Sequence, residues 1–180
     1  MSQPKYAFSL GGEHFKATYL IYILQLRYQE ENYYYVGQTG DNNHLTARSA
    51  FRRLAGHFED SNTSTQNKFY RYMVKEWLAP KGEAKPITRE VKAQMEGILT
   101  ESEVTVFVYP LMDFNHQQIL PRIHKEKVKM VKEFEKYVIH WFSDSGYNLI
   151  NGLRAHIVFP MEKLFPDRYD EICKDFPALN

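Results

Sequence analysis

The sequence predicts an α+β domain in which an antiparallel hairpin and a third strand are set among helices. Two observations carry this: a pair of short β-forming runs close together near the N-terminus, and a third such run followed by a long segment of helical period. Residues 19–26 (YLIYILQL) are apolar on both faces, as a buried strand requires. The polar stretch 27–32 reads as a loop, and Tyr33 to Val36 as the returning strand of an antiparallel hairpin. Gly37, Gly40, Asp41, Asn42 and Asn43 read as turn residues. A helix is expected next, with Ala47, Ala50, Phe51, Leu54 and Phe58 on its buried stripe.

Residues 61–100 read as a helical insertion. A polar loop is followed by two helices, 68–78 and 91–99, on either side of a break between Pro80 and Pro86. The run 104–109, closed by Pro110, is the third strand. The following long helix repeats Val128, Val131, Val138 and Phe142 on one stripe and stops before Ser145 and Gly146. A short C-terminal helix over 161–173 is expected to pack on the same domain, residues 153–180 forming an extension of a core that spans 18–152.

With 180 residues, 43% hydrophobic and 25% charged, the chain is long enough and apolar enough for one folded domain. No run is long enough to span a membrane and no export signal opens the chain, so a cytoplasmic address is expected. The one cysteine, Cys173, excludes an internal disulfide and a cysteine-based zinc cluster. A net charge of +1 rules out a chain-wide basic field, so any nucleic-acid surface must come from local sorting of charge.

Glu135 is the most informative residue, because it occupies the core-facing stripe 128, 131, 135, 138, 142. A buried carboxylate must be paired, hydrogen-bonded or bound to a cation, and on this helix alone a salt bridge and a metal site weigh equally. Glu133 falls on the polar side and is expected at the surface. Lys125, Lys129, Lys132 and Lys136 form a basic ridge beside that stripe, within a segment 120–140 holding six Lys or Arg against three Glu. Solvation of an outer helix face is the ordinary alternative. Arg53 and His57 project from one face of the first helix, where an Arg can stabilise charge on a phosphorane; Arg48 and Arg52 fall on other sides and suit phosphate positioning.

Taken in order, LIY at 20–22, YVGQTG at 35–40, RLAGH at 53–57, a helical Glu135 and GYN at 146–148 form a pattern. The chain resembles the GIY-YIG nuclease family. The resemblance covers 18–152, with Leu20 where the family usually has Gly and Val36 in place of Ile. It implies a small three-stranded antiparallel sheet flanked by helices, and metal-dependent hydrolysis of phosphodiester bonds in DNA, with Glu135 as the sole protein ligand of Mg²⁺, for which Mn²⁺ would substitute. Tyr22 would activate water, with Tyr35 or His57 assisting, Arg53 would bind a non-bridging oxygen, and Asn148 would anchor the wall of the site or touch the phosphate. Asn151 is the less favoured alternative. A stand-alone restriction-type enzyme, a mobile-element enzyme, a repair nuclease and a homodimer are all compatible with it. The competing expectations are a catalytically inactive nucleic-acid-binding module of the same fold and a structural domain in which Glu135 and Arg53 pair.

Overall fold

A computed structural model describes residues 9–41, 44–58, 68–78, 88–117, 119–151 and 164–179. Three antiparallel strands, β1 (Thr18–Tyr28), β2 (Glu31–Gln38) and β3 (Glu103–Asp113), lie in the order β2-β1-β3. The helices are α1 (Ala50–Phe58), α2 (Lys68–Met73) running into a π turn (Val74–Leu78), α3 (Arg89–Thr100), α4 (Pro121–Asp144) and α5 (Pro166–Asp175). This is the α+β class expected, with the sheet covered on both faces. Among the described residues no helix is long and apolar enough to cross a membrane.

β1 is apolar throughout because it is the central strand and each face meets its own layer of helices. Tyr19, Ile21 and Ile23 pack with Val36 of β2 against Val128, Val131, Phe134, Val138 and Phe142 of α4, and Ile172 and Phe176 close the same cluster. Leu20, Tyr22, Leu24 and Leu26 point the other way, against Ala50, Phe69, Met73, Val91 and Met95. The described helices of the stretch 61–100 thus pack directly on the central strand. Together with α1 they bury this face of β1, and without them much of the surface of its large apolar side chains would meet water.

The hairpin differs from its sequence reading. Both strands run on to a two-residue turn, Gln29 and Glu30, each with positive φ (50° and 67°). Such turns usually carry Asn or Gly, so the polar stretch looked like a longer loop. β3 likewise continues past Pro110. An edge strand leaves the missing N–H without consequence, and the register irregularity at Tyr19/Leu20 falls opposite Pro110.

α1 is rotated from the expected stripe and begins at Ala50, three residues late. Ala50 and His57 are buried while Phe51 and Phe58 are exposed. The face turned to the sheet carries Arg53 and His57, because both are held by the Tyr22 hydroxyl of β1. Ala47 instead pairs in a bridge with Gly40. The C-terminal helix begins at Pro166; the expected start at 161 lies outside the described residues.

Candidate active site around Tyr22

The centre of the site is a phenol oxygen. Tyr22 is fully buried in mid-β1, and its hydroxyl lies 2.5 Å from His57 Nε2. Arg53 Nε donates to the same oxygen at 3.3 Å, and Tyr35 adds a further hydrogen bond to it. The rings of Tyr22, Tyr35 and His57 stand with centroids 5.2–6.3 Å apart. Arg53 and His57 reach one oxygen because four residues make about one helical turn.

Gly37 makes room for this ring. It sits within β2, not in the turn its composition suggests, directly opposite Tyr22. A Cβ there would overlap the Tyr22 oxygen and Cζ, with Cε2 at 2.8 Å. Its sequence signal was the glycine itself in a strand-like run, which often marks a close approach.

Glu135 is 5% exposed on the α4 stripe, as its spacing predicts, and its charge bears on both Tyr22 and Arg53. Five residues from four elements, Tyr22, Tyr35, Arg53, His57 and Glu135, therefore share one electrostatic cluster.

Charge in the cluster is finely opposed. Burial pushes the Tyr22 phenol up to about 12, against Arg53 and Tyr35, which favour its ionised form, while Glu135 adds to the rise. Burial and the neighbouring Arg53 charge depress His57 to about 3. Burial would lower Arg53, but Tyr22, Tyr35 and Glu135 outweigh it and its pKa is raised. At neutral pH the resting pair is thus phenol and neutral imidazole. With Nε2 accepting from the phenol, the imidazole proton sits on Nδ1, which has no hydrogen-bond partner among the described residues.

The depressed His57 has a consequence for stability. Unfolded, it takes up a proton below its ordinary value of 6.5; folded, it does so only near 3. Its contribution to stability is complete above pH 6.5 and declines as pH falls toward 3, by up to about 1.4 kcal/mol per pH unit. His57→Gln should flatten this slope, so that wild type and variant converge in melting temperature between pH 7 and pH 4.5. Parallel melting curves across that range would contradict a buried neutral His57.

The two asparagines exchange places. Asn151 is fully buried; its Oδ1 accepts from Val36 N at 3.1 Å and its Nδ2 donates to Val36 O at 2.9 Å. Tyr34 exchanges backbone hydrogen bonds with Asn148 and Ile150, so the segment 148–151 seals the outer edge of β2 beside Tyr35. Asn148 is exposed, with its side chain on the Asn32 carbonyl toward the hairpin end. The favoured Asn148 thus stands outside the cluster, and Asn151 fixes the strand that carries Tyr35.

Of the basic residues, Lys125 and Lys129 are exposed, Lys132 is half-buried, and Lys136 Nζ is 2.8 Å from Glu133. Glu133 is not the solvated residue its position suggests: its side chain is 14% exposed. Arg52 is exposed, and Arg48 lies 3.7 Å from Asp41. One residue carried no such reading: His124, buried at the start of α4, bridges the Tyr19 hydroxyl (2.6 Å) and the Asp41 carbonyl (2.7 Å), tying α4 to the loop after β2.

Among the described residues no three His, Cys, Asp or Glu side chains are grouped as metal ligands. A cation here would have one protein carboxylate, Glu135, with water and substrate oxygens filling the rest of its shell, a donor set that suits Mg²⁺. No family model, curated protein or solved structure matches the chain. Function must therefore be argued from the site.

Proposed function

We propose that the protein is a metal-dependent endonuclease that hydrolyses phosphodiester bonds in DNA, as its resemblance to GIY-YIG nucleases implies. The observation that carries this reading is the convergence of Tyr22, Tyr35, Arg53, His57 and Glu135 on one cluster. A purely structural pairing of Glu135 with Arg53 needs neither two tyrosines nor a buried imidazole on the same oxygen.

Mg²⁺ held at Glu135 would supply Lewis-acid neutralisation of the scissile phosphate. The chain's own residues supply the rest. Arg53, always charged and half-buried, offers its remaining N–H donors to a non-bridging oxygen as negative charge grows there. The Tyr22 oxygen is the hub for proton movement, since it already points at His57 Nε2. With Tyr22 near 12 and His57 near 3, the phenol proton stays on Tyr22 at rest; the charge of a cation held at Glu135 would favour the phenolate, with the proton passing to water, because the same charge lowers His57 further and leaves it a hydrogen-bond acceptor. Activity is thus tied to the loaded, substrate-bound state. The exposed lysines Lys125 and Lys129, with Lys132, Arg48 and Arg52, supply positive charge for the backbone of DNA.

The test is supercoiled plasmid incubated with wild type in Mg²⁺, with wild type in EDTA, and with Glu135→Ala in Mg²⁺, all purified in parallel. Nicked or linear product from the first alone is the expected result, and discrete fragments would add sequence specificity. Binding to DNA and RNA without cleavage in any divalent metal would favour the inactive binding module.

A further inference from the structure

The outer side of α1 carries an aromatic and basic surface that the cluster does not use. Phe51 and Phe58 are 39% and 40% exposed, and Phe15, at the end of a 3₁₀ turn (Gly12–Phe15), is 54% exposed. Phe15 lies against Phe51 with ring centroids 5.1 Å apart. Single exposed phenylalanines are unremarkable, but three on one small surface are not.

Helical geometry fixes what borders them. At about 100° per residue, Phe51 and Phe58 share one row, and the arc leading away from the sheet passes Ala55, Arg52 and Gly56 before reaching Arg53. Ala55 and Arg52 are exposed, and among the described residues no neighbour outside the helix's own backbone lies within 4 Å of where a Gly56 Cβ would stand. The Arg52 and Arg53 charges also bear on Arg48. Among the described residues, a path of helix surface flanked by guanidinium groups therefore runs from Arg53 to a row of aromatic rings. A polyanion with flat apolar faces is complementary to such a path, and an apolar protein surface is not.

Resting on the nuclease reading, we infer that this face of α1 holds unpaired nucleotides beside the scissile bond, with bases stacked on Phe51 and Phe58 and phosphates on Arg52 and Arg48. Paired bases inside a duplex present no free face to these rings; bases at a fork, flap or single strand do. The preferred substrate is then a branched or single-stranded nucleic acid, distinguished from duplex by shape and not by base sequence.

The experiment measures anisotropy of a labelled duplex, single strand and fork of equal length, in EDTA, with 2-aminopurine at the branch. Wild type should bind the fork roughly tenfold or more tighter than the duplex and change the 2-aminopurine signal, as stacking on an aromatic platform requires. Phe51→Leu with Phe58→Leu, surface changes whose folding a melting curve checks, should erase that preference and signal while keeping duplex affinity. Arg52→Gln should weaken all three probes alike and lower the salt slope by about one.

Equal affinity for fork and duplex, or a preference that survives loss of both phenylalanines, overturns the inference. So does a concentration-dependent dimer that the same double substitution dissolves without altering binding. Plasmid cleavage without fork preference removes this inference alone. A fork preference that needs the two phenylalanines, in a protein that cuts no substrate, keeps the binding face and removes the nuclease reading.

Discussion

Glu135→Gln is expected to lower the plasmid-cleavage rate by about 10³-fold or more, the equivalent of several kcal/mol of transition-state stabilisation from a bound cation. Glutamine keeps the volume and the hydrogen-bonding reach of the side chain but not its charge, so the core of α4 around Val131 and Val138 should repack little. The variant separates two uses of a buried carboxylate. If Glu135 serves only to balance Arg53, neutralising it leaves a half-buried guanidinium without that balance, and the melting temperature falls while any cleavage persists. If it holds the cation, cleavage disappears, and the rise in melting temperature that added Mg²⁺ is expected to give in wild type is lost. Wild-type cleavage rates in Glu135→Gln would end the assignment of the metal to this residue.

Glu135 was legible in the sequence because a helix of period 3.6 leaves no doubt about which positions face inward, and a carboxylate among valines stands out. Arg53 and His57 were legible as a pair for the same reason. Their rotation into the sheet was not. Periodicity assigns helix faces by hydrophobicity, and here a hydroxyl on β1 turns two polar residues inward and leaves Phe51 and Phe58 in solvent. The hairpin turn was hidden because Gln29 and Glu30 adopt positive φ without the residues that usually do so.

The two asparagines show the same limit. Asn148 and Asn151 lie three apart in one short run, and nothing local separates them. They differ at the outer edge of β2, where the Val36 N–H and C=O are both met by the side-chain amide of Asn151. The helices within 61–100 read as an insertion, and their local pattern carries nothing that says which strand they cover. That their apolar faces complete the cover of β1 is a long-range fact with no local signature. Composition located the chemistry; packing decided which neighbours serve it.

Gly37→Ala is expected to cost about 2–4 kcal/mol, combining overpacking of a filled core with disruption of a buried hydrogen-bonded hydroxyl. For a chain of this size that is a fall in melting temperature of roughly 5–15 °C. The methyl group would occupy the space of the Tyr22 oxygen and Cζ, and Tyr22 has no freedom to move because it is fully buried on the central strand. The cause can be isolated by a double-mutant cycle. In a Tyr22→Ala background the clash is gone, so adding Gly37→Ala should cost less than about 1 kcal/mol, a coupling that contacting residues show and distant ones do not. In a Tyr22→Phe background it should not be relieved, since the ring carbons Cζ and Cε2 still meet the new methyl. Additivity in the first cycle, or full rescue in the second, would mean that the glycine serves backbone geometry and not the seat of the tyrosine ring. Coupling confined to the ring would make Gly37 the residue that fixes the phenol oxygen between Arg53 and His57, so that Gly37→Ala loses activity as well as stability.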